Sequence, residues 1–335
     1  EFENKLSGFT KAKYSITCAN GTDALTVVLM SWNVGPNDAI FVPSFTYVAS
    51  AEAPAQLGAI PFFVDIERDT FNMCPISLKQ AISDAKKMHL NPKVVIPVDL
   101  FGLPCKSDEI KNICEKEGVK VLIDAAQSFG SSVGSVRTGK FGDASTTSFF
   151  PAKPLGCYGD GGAIFTDDDE LADVIDSIRL HGKGIQKYDN IRIGINSRLD
   201  SIQAAILLEK LKIFPDELVS RQRIASTYNE LLKPLEEIET PFIFKDRKSA
   251  WAQYTLKSKK REKILDGLKK SDIPTVIYYP KALSQQDGYK HYPSASSGLE
   301  NSNNLSSEVF SLPMHPYLKE SEIEFICAEI KKSLN

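Results

Sequence analysis

Val121-Leu122-Ile123-Asp124-Ala125-Ala126-Gln127 opens with apolar side chains that do not alternate and is interrupted by an acid. A strand with one wet face alternates; one that does not is covered on both faces by crossover helices. Val94-Val95-Ile96-Pro97-Val98 reads the same way. Outward from these two runs, further strands are predicted at Ala39–Pro43, Ala59–Val64, Ser145–Phe150 and Gly162–Thr166. Between them lie predicted helices at Ser77–Lys87, Ser107–Glu117 and Glu170–Leu180. This alternation marks an α/β domain built on a mostly parallel sheet with helices on both faces, and residues 1–214 are read as that large domain. From Pro215 the pattern changes. A helix at Glu217–Leu232 leads to short strands near Phe242–Phe244 and Trp251–Lys257, a helix at Glu262–Lys270, a strand at Thr275–Tyr279 and a terminal helix at Ser321–Lys332. Residues 215–335 are therefore read as a smaller α+β domain. Ser294–Ser307, rich in Ser and Asn, reads as a surface loop.

Composition narrows the function classes. Of 335 residues, 42% are hydrophobic and 25% charged, enough apolar material for a core and too much for a disordered chain. The formal net charge of −3 argues against a nucleic-acid partner. No apolar run reaches the roughly 18–20 residues of a membrane helix, so no membrane partner is expected. The six cysteines form no C-x-x-C pair, and the four histidines are isolated. Neither a dense disulfide framework nor a His-based metal site fits, and a reducing cytoplasm is the expected compartment. The chain begins at Glu1, in what reads as the middle of a helix, so its N-terminal segment is expected to be incomplete.

Three segments carry chemistry. Asn20-Gly21-Thr22-Asp23 precedes a helical run, so Gly21 and Thr22 fall at a helix N-terminus, where free amides suit a phosphate and where a plain N-cap is the bland alternative. Asp124 ends a buried strand, and a carboxylate there needs a partner: a pyridinium nitrogen, an arginine or a helix end. Lys153, between Pro151 and Pro154 in a Gly-rich turn, is restrained, and a partly buried lysine of lowered pKa can act as a nucleophile. Together these are the parts of a site for pyridoxal 5'-phosphate (PLP). Gly134-Ser-Val-Arg-Thr-Gly139-Lys140 mimics a nucleotide loop, but Phe141 stands where the Mg²⁺-binding hydroxyl belongs.

At Asn20–Leu25, Pro43-Ser-Phe-Thr-Tyr-Val48, Asp124–Gln127, Ser148-Phe-Phe-Pro-Ala-Lys153, Gly159-Asp-Gly-Gly162 and Gly194-Ile-Asn-Ser-Arg-Leu-Asp200, the chain resembles the DegT/StrS family of nucleotide-sugar aminotransferases, which have the fold-type-I PLP architecture. The resemblance implies that Lys153 binds the cofactor covalently and then moves the substrate proton. It also implies that Asp124 pairs with the ring nitrogen, Gln127 lies near the ring oxygen, and Tyr47 stacks on the ring. Gly21, Thr22 and Ser148 would hold the phosphate, and Asn196 would reach it from the second subunit of a homodimer. Arg198, His181 and Tyr279 would lie near substrate. Within the family, Arg179-Leu-His-Gly-Lys-Gly184, Lys187-Tyr-Asp189 and Arg192–Arg198 are most similar to enzymes aminating UDP-linked 2-acetamido sugars, in particular the 3-oxo-glucuronate aminotransferases of O-antigen synthesis, with glutamate as donor. One departure stands out: after Tyr278-Tyr279-Pro280, Ser284 occupies the place where relatives often carry His. A C4-keto sugar aminotransferase, a non-catalytic PLP-binding sugar sensor and an amino-acid decarboxylase are the alternative readings.

Overall fold

The computed structural model describes every residue except Lys187, so that part of the Lys187–Asp189 run lies outside the described residues. Seven strands build the central sheet: β1 (Tyr14–Cys18), β2 (Asp38–Pro43), β3 (Ile60–Val64), β4 (Asn91–Val95), β5 (Lys120–Asp124), β8 (Ala144–Ser148) and β9 (Gly162–Thr166). Their order is β1-β9-β8-β5-β4-β2-β3, and only the pairings of β9 are antiparallel. The strand bearing Asp124 is therefore central, with parallel neighbours on both sides.

Alternate residues of one strand belong to opposite cores, which is why no hydropathy alternation is visible. Ile40, Val42 and Leu122 pack with Leu25 and Val28 of helix α2 (Gly21–Ser31), beneath α3 (Ala49–Gln56) and α6 (Asp169–Ile178). Phe41, Val121 and Ile123 face the other way, onto α4 (Pro75–Lys87) and α5 (Ser107–Glu117) through Leu78, Ile82, Ile110 and Ile113. A third cluster joins α1 (Phe2–Thr10) to the sheet through Leu6, Phe129, Phe165 and Phe214. The mimic of a nucleotide loop is a hairpin, β6 (Ser132–Val133) and β7 (Val136–Arg137), extended by β10 (Arg247–Lys248).

The helix expected from Glu217 begins at Ser201 instead: α7 (Ser201–Leu232) runs through Pro215. Proline removes one helical hydrogen bond, yet the helix persists because its two halves are buried in different cores. Leu207 and Phe214 belong with α1, whereas Ile224, Ala225, Tyr228 and Leu232 pack with β11 (Tyr254–Lys257), α8 (Arg261–Lys270), β12 (Val309–Leu312) and α10 (Glu320–Leu334). Three other expectations are corrected. Phe242–Phe244 is not a strand. Thr275–Tyr279 contributes only a single bridge, Val276 to Ser311. The predicted Ser294–Ser307 loop contains most of a helix, α9 (Glu300–Glu308). Its Ser and Asn residues serve a buried acid rather than solvent: the Ser302 amide and hydroxyl donate to Asp65 Oδ1 at 2.9 and 2.7 Å, and the Asn301 amide donates to Oδ2 at 3.1 Å. A carboxylate at a helix N-terminus is stabilising.

Phe214 is wholly buried and stacks on Phe129 with ring centroids 5.8 Å apart. Phe214→Ala is expected to cost about 3–5 kcal/mol of stability through lost burial and a residual cavity, measured by urea denaturation.

Candidate active site

The carboxyl edge of the sheet gathers the polar groups. Asp124 ends β5, Ser148 ends β8, Asn20 follows β1, and Thr46 and Tyr47 follow β2. They open on a cavity of about 810 Å³. Two glycines permit this convergence. A Cβ on Gly21 would lie 2.8 Å from Ser148 Cβ, and one on Gly162 would lie 2.4 Å from the Asn20 carbonyl oxygen. Helix α2 can thus start directly against the end of β8.

The Asn20 segment forms the cap and leaves amides free beside it. Asn20 Oδ1 accepts from the Asp23 amide at 2.8 Å, a true N-cap. The Gly21 and Thr22 amides have no acceptor among the described residues. They line the cavity with Ser148, whose Oγ accepts from the Phe150 amide at 3.3 Å. Unsatisfied amides at a helix N-terminus, with hydroxyls beside them, fit a phosphate group.

Asp124 is 6% exposed, and its carboxylate accepts from Ser50 Oγ at 3.0 Å and from the Ala126 amide at 3.1 Å. Burial pushes its carboxyl above the usual range; these two hydrogen bonds and the charge of Lys153 oppose that shift. Lys153 shows the mirror image, its amine pulled below the ordinary lysine value by burial while the charge of Asp124 opposes. The turn that carries Lys153 is closed by its own amide donating to the Phe150 carbonyl at 2.8 Å. At Gly156 a Cβ would sit 2.6 Å from the Pro151 carbonyl oxygen, so the turn closes as tightly as its Pro and Gly content demands.

Gln127 bridges two parts of the fold. Its Oε1 accepts from the Phe101 amide at 2.7 Å, and its Nε2 donates to the Tyr279 hydroxyl at 3.2 Å. Burial raises the phenol of Tyr279 above its ordinary value. Behind Gln127, Asp99 accepts from Ser128 Oγ and from the Cys105 amide, both at 2.8 Å. Burial lifts its carboxyl to about 6.

Of the residues singled out from sequence, Gly21, Thr22, Tyr47, Asp124, Gln127, Ser148, Lys153 and Tyr279 line this one cavity. His181, Asn196 and Arg198 do not; all three are exposed. His181 uses its backbone, donating to the Ile195 carbonyl at 2.9 Å and accepting from Asn190 Nδ2 at 2.8 Å. Between the other two, buried Ser197 accepts from the Ala19 amide at 3.0 Å and ties this loop to the start of α2. Sequence reasoning missed Thr46, Gln253, Lys281 and Gln286. Thr46 and Lys281 stood in motifs already singled out, but without a role; Gln253 and Gln286 come from the last third of the chain, where no local pattern marks them. Thr46 Oγ1 and Gln253 Oε1 are buried without partners among the described residues, as expected of a wall shaped to receive a polar molecule.

Residues 1–331 match the DegT/DnrJ/EryC1/StrS aminotransferase family. The chain belongs to that family. It is 46% identical over 330 residues to the UDP-2-acetamido-2-deoxy-3-oxo-D-glucuronate aminotransferase of Pseudomonas aeruginosa, spanning 98% of this chain and 89% of that protein. A DegT/DnrJ/EryC1/StrS aminotransferase from Brucella abortus superposes with a TM-score of 0.97 at 51% identity, over 99% of this chain and 88% of that one. NtdA from Bacillus subtilis, solved with bound pyridoxamine phosphate, superposes at 0.90 with 28% identity, over 99% and 76%. The fold is the fold-type-I architecture, and the cofactor of this aminotransferase is PLP. Among the described residues, no helix is long and apolar enough to cross a membrane, and no group of three or more His, Cys, Asp or Glu side chains is placed to hold a metal.

Asp99 generates a pH prediction. Its carboxyl binds a proton in the folded chain up to about 6, against the ordinary 3.8. The native state therefore holds more protons than the unfolded state between those values, and stability falls as pH rises through that window. Asp99→Asn removes this dependence. Between pH 4 and 7, urea titrations should show the parent losing about 2 kcal/mol relative to the variant.

Proposed function

We propose that this chain transaminates a UDP-linked 2-acetamido-3-keto sugar, specifically the 3-oxo-glucuronate, with glutamate as amino donor, as a homodimeric cytoplasmic enzyme of surface-polysaccharide synthesis. The observation that carries the reading is that Lys153 and Asp124 line the wall of one cavity, each within reach of the other's charge, beside a free helix N-terminus. The sugar comes from the similarity to the Pseudomonas enzyme. The dimer is supported by the loop before α7, where Ile185 and Ile193 are 100% and 84% exposed. Asn196 and Arg198 are exposed on that same loop and away from their own cavity, so they are available to a second copy.

When bound, PLP supplies the electron sink that lets an amino group pass between substrates. The remaining work falls to side chains. The Gly21 and Thr22 amides and Ser148 would hold the phosphate. Asp124 would hold the ring nitrogen: a carboxylate desolvated to this degree gains most from a cationic partner, and Ser50 and the Ala126 amide fix its direction. Tyr47, 56% exposed at the cavity wall, offers a ring face. Lys153 takes a proton from the donor's α-carbon and returns one to the acceptor's carbon. That work needs a neutral amine near physiological pH, and burial favours the neutral form. Gln127 keeps Tyr279 beside the reacting centre, since its amide is anchored on the Phe101 backbone.

The test is a panel of UDP- and dTDP-linked keto sugars assayed with glutamate, with product mass recorded. Conversion of the 3-oxo-glucuronate to its 3-amino product, with the visible band lost on glutamate addition, is expected. Bound cofactor without glutamate-dependent conversion would leave the sugar-sensor reading. Lys153→Ala should lower turnover by about 10⁴-fold, the upper range for a positioned acid–base group, and abolish the visible band.

A further inference from the structure

The cavity is short of positive charge. Its charged side chains are Asp23, Asp124, Asp160, Lys153 and Lys281. Under the reading above, Lys153 is committed to the cofactor and already faces Asp124. A nucleoside diphosphate sugar brings the negative charge of its diphosphate, and a uronate brings a carboxylate as well. Among the described residues, Lys281 is the remaining cation on the cavity wall. Its amine has no hydrogen bond or ion pair among the described residues. Nearby Lys290, by contrast, donates to Asp287 Oδ1 at 2.8 Å.

The base of Lys281 is fixed even though its side chain is exposed. Pro280 precedes it, and Ala282 and Leu283 after it are 1% and 4% exposed. The Leu283 amide donates to the Ser44 carbonyl at 2.7 Å, and Ser44 Oγ donates to Ser284 Oγ at 2.8 Å. Ser284 thus turns toward the end of β2 and is not part of the cavity wall, whereas Lys281, Leu283 and Gln286 of the same segment are. The segment is a rigid rail carrying an uncompensated cation over an acidic cavity, an arrangement that gains from an oxyanion.

We propose that Lys281 determines substrate specificity by binding an oxyanion of the nucleotide sugar, in its diphosphate or its C6 carboxylate. The inference rests on the nucleotide-sugar reading. Its test is calorimetric titration of the holoenzyme with UDP, UDP-N-acetylglucosamine and the C6 acid of that sugar nucleotide. Lys281→Gln should weaken binding about 10-fold, the range for one hydrogen bond to a charged group. Equal weakening for all three ligands assigns the diphosphate; weakening for the acid alone assigns the carboxylate. Lys281→Arg should restore most of the affinity, and Lys290→Gln, which removes a charge outside the cavity, should match the parent. In turnover, the KM for the keto sugar should rise while kcat holds. Equal affinities for parent and Lys281→Gln across all three ligands would overturn the proposal, as would a parent that binds none of them. A parent that binds uridine nucleotides through Lys281 yet aminates no keto sugar would sink the functional reading and leave this one standing. Amination unaffected by Lys281→Gln would do the reverse.

Discussion

Asp124 and Lys153 share one cavity wall, where burial pushes both toward their neutral forms and the charge of each opposes the shift of the other. Burial raises the acid and lowers the amine, so separately each would tend toward its neutral form; the attraction between them opposes both shifts. Much of the surrounding structure holds this balance in place. The central position of β5 keeps Asp124 in a dry wall, Ser50 and the Ala126 amide orient it, and a turn tightened at Gly156 leaves the Lys153 backbone little freedom. A site that must accept a cationic ring and release a neutral amine needs such a balance, and a salt bridge in open water would not give it.

The sheet was legible because burial on both faces writes an unbroken apolar run, and Val121–Ile123 could hardly be read otherwise. The candidate cofactor site was legible for a related reason. Phosphate, ring nitrogen and aldehyde each require a specific local feature: free amides at a helix start, an acid at a strand end, a lysine in a restrained turn. Each of those features is a short-range pattern. Gln253 and Gln286 have no such mark, because they reach the cavity through tertiary folding of segments whose own periodicity says nothing about where they dock. The Ser- and Asn-rich stretch misled for a physical reason. Polar composition reads as solvent exposure, but Asp65 turns the hydroxyl and amide of Ser302 into internal partners. Pro215 misled likewise, since packing on both sides of it outweighs one lost hydrogen bond.

His181, Asn196 and Arg198 illustrate another limit. The resemblance assigned Asn196 to a partner's site and His181 and Arg198 to the substrate; in this chain all three sit on an exposed loop outside the cavity. A motif can fix which residues matter without fixing whose cavity they serve, and geometry within one polypeptide answers only for that polypeptide.

The wall of the cavity runs from Asn20 to Gln286, and the contact of Ser44 with Ser284 closes it across most of the chain. During synthesis the N-terminal portion leaves the ribosome first. The strand ends, the acid and the lysine can all be in place while the final rail is still being translated. Enclosure of the cavity therefore waits on a contact between residues 240 positions apart in the chain.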